Sequence, residues 1–218
     1  MRLDEPLDDA LQSRSYVRVL RTLFRLPEGL SVSGREVARR SSISHPTATS
    51  VLESLAIQGV VLVHRSLRLD QYELNRHHAL VEKLTPLFEW ERQVRDQVVA
   101  SLRSQLERAA PWISAAFLFG SAVRGEMTLD SDVDLAVVVS ESRRVAETEL
   151  ALQEIADVVR QRFGLRLEGI VGLGTVEYLM SSRRRGHRLW RNVVREGIVL
   201  FPSTAYKREV VANRQFSA

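Results

Sequence analysis

Apolar residues recur at helical spacing near the start of the chain, and polar capping residues divide the stretch that follows into short helices. The spacing predicts a helix over residues 15–26, carried by Tyr16, Val19, Leu20, Leu23 and Phe24. Ser33 stands three residues before Glu36, as in a capping box, and predicts a second helix that runs to about Arg40. Ser44, followed by Pro46, predicts a third helix that ends at Gly59.

Two β-prone runs follow these helices. Residues 60–63 and 69–74 are joined by a few polar, basic residues, so they predict a hairpin. The order of helix, helix, turn, helix and hairpin, and above all the segment from Val32 to Leu55, resembles the winged helix-turn-helix of bacterial and archaeal regulators. The resemblance implies a domain over residues 13–78 that binds double-stranded DNA, with residues 44–58 as the recognition helix in the major groove.

The expected DNA contacts combine short side chains at the exposed start of that helix with arginines at the hairpin tip. Short polar side chains approach base edges, and arginines reach the minor groove or the phosphate backbone. The residues concerned are Ser44, His45, Thr47, Ala48, Ser50, Arg65 and Arg68. Residues 13–76 contain 10 basic and 5 acidic residues, an excess that favours phosphate contact. The alternative is a module that makes only protein contacts.

Residues 80–110 predict a helix that is broken or restarted near Pro86. An apolar stripe with a spacing of four residues runs along it, formed by Val94, Val98, Leu102 and Leu106. The stripe either packs on a second domain, as part of a linker helix over residues 79–110, or forms the seam of a homodimer.

A second set of elements begins at Pro111. Residues 113–119 predict an apolar strand, and a polar segment from Gly120 runs into a second strand that ends near Val139. A helix over residues 145–163, a strand over 165–171, two helical stretches to Glu196 and a strand over 197–201 complete the pattern.

The polar connection carries the candidate chemistry. Asp132 and Asp134 project from the same face of a strand, about 6–7 Å apart, because side chains alternate along it. Two carboxylates this close repel each other unless a cation lies between them, and Mg²⁺ accepts carboxylate, phosphate and water oxygens. Gly120 lets the backbone approach a ligand, and Ser121 and the amides beyond it suit the β- and γ-phosphates.

Two further charged residues have competing interpretations. Glu168 is a lone acid in an apolar strand; it serves as a metal ligand, pairs with an arginine such as Arg166, or faces water at a sheet edge. Arg124 adds positive charge near the phosphates, or forms a surface ion pair with Glu126 or Asp130.

Gly120-Ser121, separated by ten residues from Asp132-x-Asp134, resembles the nucleotidyltransferase superfamily of DNA polymerase β. The Arg-Gly-Glu spacer from Arg124 and the Ser-Asp-x-Asp-Leu ending resemble the minimal nucleotidyltransferases, and the resemblance covers residues 111–202. It implies a small mixed sheet flanked by helices. It also implies that Asp132, Asp134 and Glu168 are catalytic and hold two Mg²⁺ ions, or Mn²⁺, although the family usually has aspartate where this chain has Glu168. Gly120, Ser121 and Arg124 would bind the nucleotide.

The reaction implied is a two-metal, in-line transfer of a nucleoside monophosphate from a nucleoside triphosphate to an acceptor hydroxyl. The acceptor would be a protein side chain, a tRNA end or a small molecule such as an aminoglycoside. Minimal nucleotidyltransferases are found in toxin–antitoxin pairs, which favours protein or RNA. The alternative function is a transcriptional regulator whose nucleotidyltransferase domain senses nucleotide without turnover.

Composition narrows the class of protein further. The chain has no cysteine, which excludes disulfide scaffolds and thiolate metal sites and favours the cytoplasm, and no apolar run is long enough to span a membrane. Of the 31 basic residues only Lys83 and Lys207 are lysine, and arginine suits bidentate phosphate contacts. We therefore expect an α+β protein with a tail over 1–12, a winged helix over 13–78, a linker helix over 79–110, a nucleotidyltransferase domain over 111–202 and a tail over 203–218.

Overall fold

A computed structural model describes residues 13–66, 69–128, 130–181 and 185–201. The described residues fall into two compact units, one that ends at Val94 and one that begins at Arg95. The division lies inside a 31-residue helix rather than at either of its ends. Within the described ranges, every helix is too short or too polar to cross a membrane.

The first unit combines three short helices with a small antiparallel sheet. Its strands lie in the order β1–β3–β2, and β3 pairs with both neighbours. The elements are α1 (Arg14–Phe24), β1 (Val32–Ser33), α2 (Gly34–Ser41), α3 (His45–Ile57), β2 (Val61–His64) and β3 (Gln71–Leu74). The three helices and the hairpin confirm the predicted order of elements, and β1 is an addition to it.

Both predicted helix starts are capped as the sequence indicates. The Ser33 hydroxyl accepts a hydrogen bond from the Glu36 amide, and the Ser44 hydroxyl accepts one from the Thr47 amide, each at 3.3 Å. The Glu36 carboxylate binds Arg39 and Arg40, whose hydrogen bonds lower the pKa of Glu36 to about 2. These local bonds fix where α2 and α3 begin, because the first amides of a helix have no partner within it.

The long helix α4 (Ala79–Ala109) continues through Pro86, so the predicted break is wrong. Proline removes one backbone hydrogen bond from a helix interior. Val81 and Phe88, on either side of Pro86, are both buried. Burial of the apolar face on both sides therefore outweighs the lost bond and holds the two segments in one helix.

The apolar stripe of α4 is covered within a single chain. All four of its side chains, Val94, Val98, Leu102 and Leu106, are 0% exposed. A dimer seam would leave them exposed in one chain, so that alternative is wrong. In the second unit, Arg95 donates to the carbonyl oxygens of Ala122 and Val123 and thereby anchors the helix beside the candidate site.

The second unit contains the small mixed sheet flanked by helices that was predicted. Its strands lie in the order β6–β5–β4–β7; β5 and β6 are parallel, and β4 is antiparallel to both β5 and β7. Its elements are β4 (Ala115–Phe119), α5 (Ser121–Arg124), β5 (Val133–Val139), α6 (Arg144–Phe163), β6 (Leu167–Leu173), α7 (Val176–Met180), α8 (His187–Glu196) and β7 (Ile198–Phe201). The central strands β4 and β5 are almost wholly buried, which gives the site a rigid base.

Candidate functional site

Strand register brings the predicted acidic residues to one end of the second sheet. Phe119, the last residue of β4, pairs with Asp134 on β5, and Asp134 pairs with Glu168 on the parallel strand β6. Neighbouring strands are about 5 Å apart, so Asp134 stands between the end of β4 and Glu168. Asp132 lies two residues earlier, just before β5 begins.

Gly120 is required by the position of Asp134. A Cβ atom at residue 120 would lie 1.9 Å from Oδ2 of Asp134, and the backbone there has a φ of 76°, in the region that favours glycine. The sequence suggested that Gly120 makes room for a ligand. The structure shows that the Asp134 carboxylate itself occupies this room, directly beside the start of α5.

The electrostatics of Asp134 reveal an excess of negative charge. Burial raises the pKa of Asp134, and the charges of Glu168 and Asp132 raise it further, while Arg124 acts in the opposite direction. A carboxylate that is destabilised by its own acidic neighbours gains free energy when a cation binds among them. The site is therefore suited electrostatically to a divalent cation.

Asp132 is held differently from Asp134. Nε of Arg166 lies 2.8 Å from Oδ1 of Asp132, and Nη2 of Arg166 donates a hydrogen bond to the carbonyl oxygen of Asp130. The alternative in which Arg166 pairs with Glu168 is thus wrong. Sequence reasoning missed this ion pair, and the signal available was a basic residue directly before the strand that carries Glu168.

Glu168 faces water, as one of its predicted alternatives required. The residue is exposed and lies on β6, which is an edge strand of the sheet. A Cβ atom on the next residue, Gly169, would lie 2.8 Å from Leu152 of α6. Because strand side chains alternate, Glu168 projects from the face that α6 leaves uncovered.

The carboxylate oxygens at this end of the sheet are suitable ligands for Mg²⁺ or Mn²⁺. The carboxylates do not, however, converge on one point. Asp132 and Asp134 supply the oxygen ligands that Mg²⁺ and Mn²⁺ prefer. Among the residues that the structure describes, no three histidine, aspartate or glutamate side chains converge on one point as a metal-binding group. The two aspartates are therefore the residues that would hold a cation, and a role for Glu168 needs its side chain to turn inward.

Ser121 and Arg124 lie on the short helix that follows Gly120. Ser121 is half-buried at the first position of α5, next to the Asp134 carboxylate. Arg124 donates a hydrogen bond of 2.7 Å to Glu126, which raises the pKa of Arg124, and also lies 3.7 Å from Glu196. The surface ion pair expected as one alternative for Arg124 is thus formed.

The residues selected for DNA contact have different positions in the first unit. Ser44 and Thr47 share a hydrogen bond of 2.7 Å between their hydroxyl groups, while His45, Ser50 and Arg65 are exposed. Ala48 is 0% exposed and belongs to the interior, so the expectation of an exposed residue there is wrong. Ala48 lies on the buried face of helix α3, and the spacing of apolar residues alone did not determine which face would be buried. Arg68 lies outside the described residues.

Comparisons with known proteins bear on the second unit. Residues 102–171 match the family described as polymerase beta nucleotidyltransferase, a range that runs from α4 into β6 and includes Gly120, Asp132, Asp134 and Glu168. No curated protein matches the sequence significantly.

Solved structures give only distant likenesses. A toxin–antitoxin crystal structure with AMP-PNP is 18% identical, with a TM-score of 0.37 over 54% of this chain and 87% of that one. A mutant of the toxin–antitoxin MntA-HpeT is 16% identical, with the same TM-score and coverage. TrmBL2, an archaeal chromatin protein, is 16% identical, with a TM-score of 0.27 over 83% of this chain and 75% of that one. At these scores the likenesses support no argument. The family match, over residues 102–171, is therefore what supports a nucleotidyltransferase domain of the polymerase β type in this chain.

Proposed function

We propose that this chain is a magnesium-dependent nucleotidyltransferase that transfers a nucleoside monophosphate from a nucleoside triphosphate to a hydroxyl group of an acceptor. The observation that carries the proposal is the placement of the Asp134 carboxylate over Gly120, inside the range that matches the nucleotidyltransferase family. This arrangement joins a cation-binding carboxylate to the turn where a phosphate chain would lie.

Each residue of the site has a distinct task in this proposal. Asp132 and Asp134 hold Mg²⁺ or Mn²⁺, with Glu168 as a further ligand, and the bound cations supply charge neutralisation for the triphosphate and acidify the acceptor hydroxyl. Gly120 leaves room for the Asp134 carboxylate, and the Ser121 hydroxyl donates to a phosphate oxygen. Arg124 lies within the electrostatic reach of Asp134 and orients the phosphate chain once it leaves Glu126.

The first unit supplies a second part of the proposal, in which it binds double-stranded DNA as a winged helix. The support is the order of its elements and the exposure of His45, Ser50 and Arg65 around α3 and the hairpin. The basic excess of residues 13–76 acts in the same direction. The resemblance of residues 120–135 to minimal nucleotidyltransferases favours a protein or RNA acceptor, of the kind used in toxin–antitoxin systems.

The direct test incubates the full chain with labelled nucleoside triphosphates and Mg²⁺ and follows pyrophosphate release and label transfer. We expect Asp134→Asn to reduce transfer by about 100-fold or more, because the cation that would neutralise the transferring phosphates loses a carboxylate ligand. Asp157→Asn is the matched control, since Asp157 is an exposed aspartate on α6, and it should transfer at the wild-type rate.

Two observations favour a second function, in which the domain senses nucleotide without turnover. The Asp132 carboxylate is already paired with Arg166, and Glu168 faces water. Nucleotide binding that changes DNA affinity, with no pyrophosphate released by any of the four nucleotides, would establish the sensor and reject the enzyme. Absence of nucleotide binding by the wild-type chain would reject both.

A further inference from the structure

Arg166 connects the ends of two strands at the candidate site. Its carbonyl oxygen accepts a hydrogen bond of 2.8 Å from the Val133 amide, the first residue of β5. Its guanidinium donates to the Asp130 carbonyl oxygen and lies 2.8 Å from the Asp132 carboxylate. The backbone of Arg166 is therefore fixed by the sheet, while its side chain reaches across to Asp132.

The contact between the two charges is close but not directional. Oδ1 of Asp132 has no exposed surface and accepts no hydrogen bond, although Nε of Arg166 lies only 2.8 Å away. The N–H bond of Arg166 is therefore not aimed at this oxygen, and the attraction is that of two nearby charges. A carboxylate oxygen with an unused lone pair has free energy to gain from a better-placed cation.

The side chain of Arg166 can also move away from Asp132, because the ion pair is partly exposed to solvent. Its side chain is 58% exposed and that of Asp132 is 37% exposed, so the ion pair lies in water on one side. Pairs of this kind contribute little stability and exchange readily. A divalent cation on Asp132 would meet the guanidinium at the same oxygen, and like charges at that distance exclude each other.

A displaced guanidinium at this place has a natural second partner. Arginine binds phosphate oxygens in a bidentate manner, and a triphosphate brought beside Gly120 and Asp134 would offer such oxygens at the same end of the sheet. The phosphate and Asp132 would then compete for Arg166, and phosphate binding would favour the release of Arg166 from the Asp132 carboxylate.

We infer that Arg166 is an exchangeable counter-ion of Asp132, which covers the carboxylate in the absence of ligand and transfers to the phosphate chain when nucleotide binds. The inference rests on the proposed function and adds a positioning residue that couples the two ligands. A divalent cation alone binds weakly, because it must displace Arg166, and it binds more tightly when a phosphate chain removes Arg166 from Asp132. By linkage, the phosphate chain gains the same factor in affinity from the cation.

The test measures Mn²⁺ affinity of the full chain with and without inorganic triphosphate, which represents the phosphate chain whatever the base. In Arg166→Gln we expect Mn²⁺ alone to bind about fivefold more tightly, the size of effect that one exposed ion pair exerts. The gain in Mn²⁺ affinity caused by triphosphate should shrink by a similar factor. Arg160→Gln removes an equal charge from an exposed position on α6 and should leave both quantities unchanged.

Two outcomes would overturn the inference. Arg166→Gln that binds Mn²⁺ with equal or lower affinity would show that Arg166 only holds the strand ends together. Arg166→Lys, which keeps one positive charge and guards against a folding artefact, should retain the weak binding of the wild type. A lysine variant that binds as tightly as the glutamine variant would also contradict a competing charge.

Failure of the proposed function gives a different pattern. If neither the wild type nor Asp134→Asn binds Mn²⁺, with or without triphosphate, the proposed cation site and the proposed role of Arg166 are both wrong. If Mn²⁺ binding is present in the wild type, lost in Asp134→Asn and indifferent to Arg166, only the inference about Arg166 is wrong.

Discussion

The two units each contain an arginine–carboxylate pair, and the pairs differ in almost every physical respect. In the first unit, Arg21 and Glu91 are 5% and 2% exposed and meet through two hydrogen bonds of 2.6 and 2.9 Å. In the second unit, the side chains of Arg166 and Asp132 are 58% and 37% exposed and meet without a hydrogen bond between them. The first pair is locked by burial and geometry and serves the fold. The second can be exchanged, which is what a binding site requires.

The largest expected difference concerns stability. Glu91→Gln leaves the Arg21 guanidinium buried beside a neutral side chain and should lower the free energy of unfolding by about 3–5 kcal/mol. Arg166→Gln should lower it by less than about 1 kcal/mol. Chemical denaturation of both variants measures the difference. Replacement of both buried partners, by Arg21→Met with Glu91→Leu, should recover most of the loss, and equal destabilisation by the two single variants would remove the contrast.

The next prediction separates strain from function at the site. Gly120→Ala and Gly164→Ala both place a Cβ atom on a backbone with positive φ, 76° and 66°. Gly164 is left-handed, with a ψ of 19°, and its substitution should cost about 1–2 kcal/mol of stability. Gly120→Ala should cost more, because its ψ of −153° lies in a region that almost only glycine adopts. Only at position 120 does the new atom collide with Asp134, since the space at Gly164 is open.

Nucleotidyl transfer assays on these variants provide the measurement. Gly120→Ala should lose about 100-fold in rate, because a displaced carboxylate misplaces the reacting groups. Gly164→Ala should keep nearly all of its activity. Equal losses would mean that backbone strain, and not the position of Asp134, limits the reaction.

A smaller effect is expected from pH. Burial and the charges of Glu168 and Asp132 raise the pKa of Asp134 in the folded chain. The Asp134 carboxylate is therefore protonated at a higher pH in the native state than in the unfolded state. Without cations, the contribution of Asp134 to stability should therefore increase as pH falls from neutrality toward the raised pKa, and Mn²⁺ affinity should decrease over the same interval. Melting curves and Mn²⁺ titrations of wild type and Asp134→Asn check this, and an unchanged pH profile in the variant would assign the effect to another group.

The smallest expected effect concerns DNA binding by Arg65, an exposed charge in the first unit. Arg65→Ala should weaken binding to all DNA duplexes about equally and reduce the slope of log affinity against log salt by about 0.9, the value for one phosphate contact. A salt series on several duplexes measures this slope, with Arg160→Gln as a control in the other unit. If the slope stays the same, Arg65 makes no phosphate contact.

The sequence predicted best what is decided locally. Ser33 and Ser44 act on amides three residues away, so the starts of α2 and α3 follow from the local sequence. Orientation toward the interior is decided by packing, which is why Ala48 was misassigned to the exposed side and why Pro86 does not break α4. The composition of the site depends on still more distant pairing: Arg166 meets Asp132 only because β6 lies parallel to β5, with Val133 opposite Leu167.

The exposed position of Glu168 has a consequence for how the folded chain behaves in concentrated solution. Strand β6 is a border of its sheet, and a border strand offers backbone groups to which another polypeptide can add. Charged side chains at the beginning of such a strand, here Arg166 and Glu168, oppose that addition. Variants that neutralise both residues should therefore self-associate more readily.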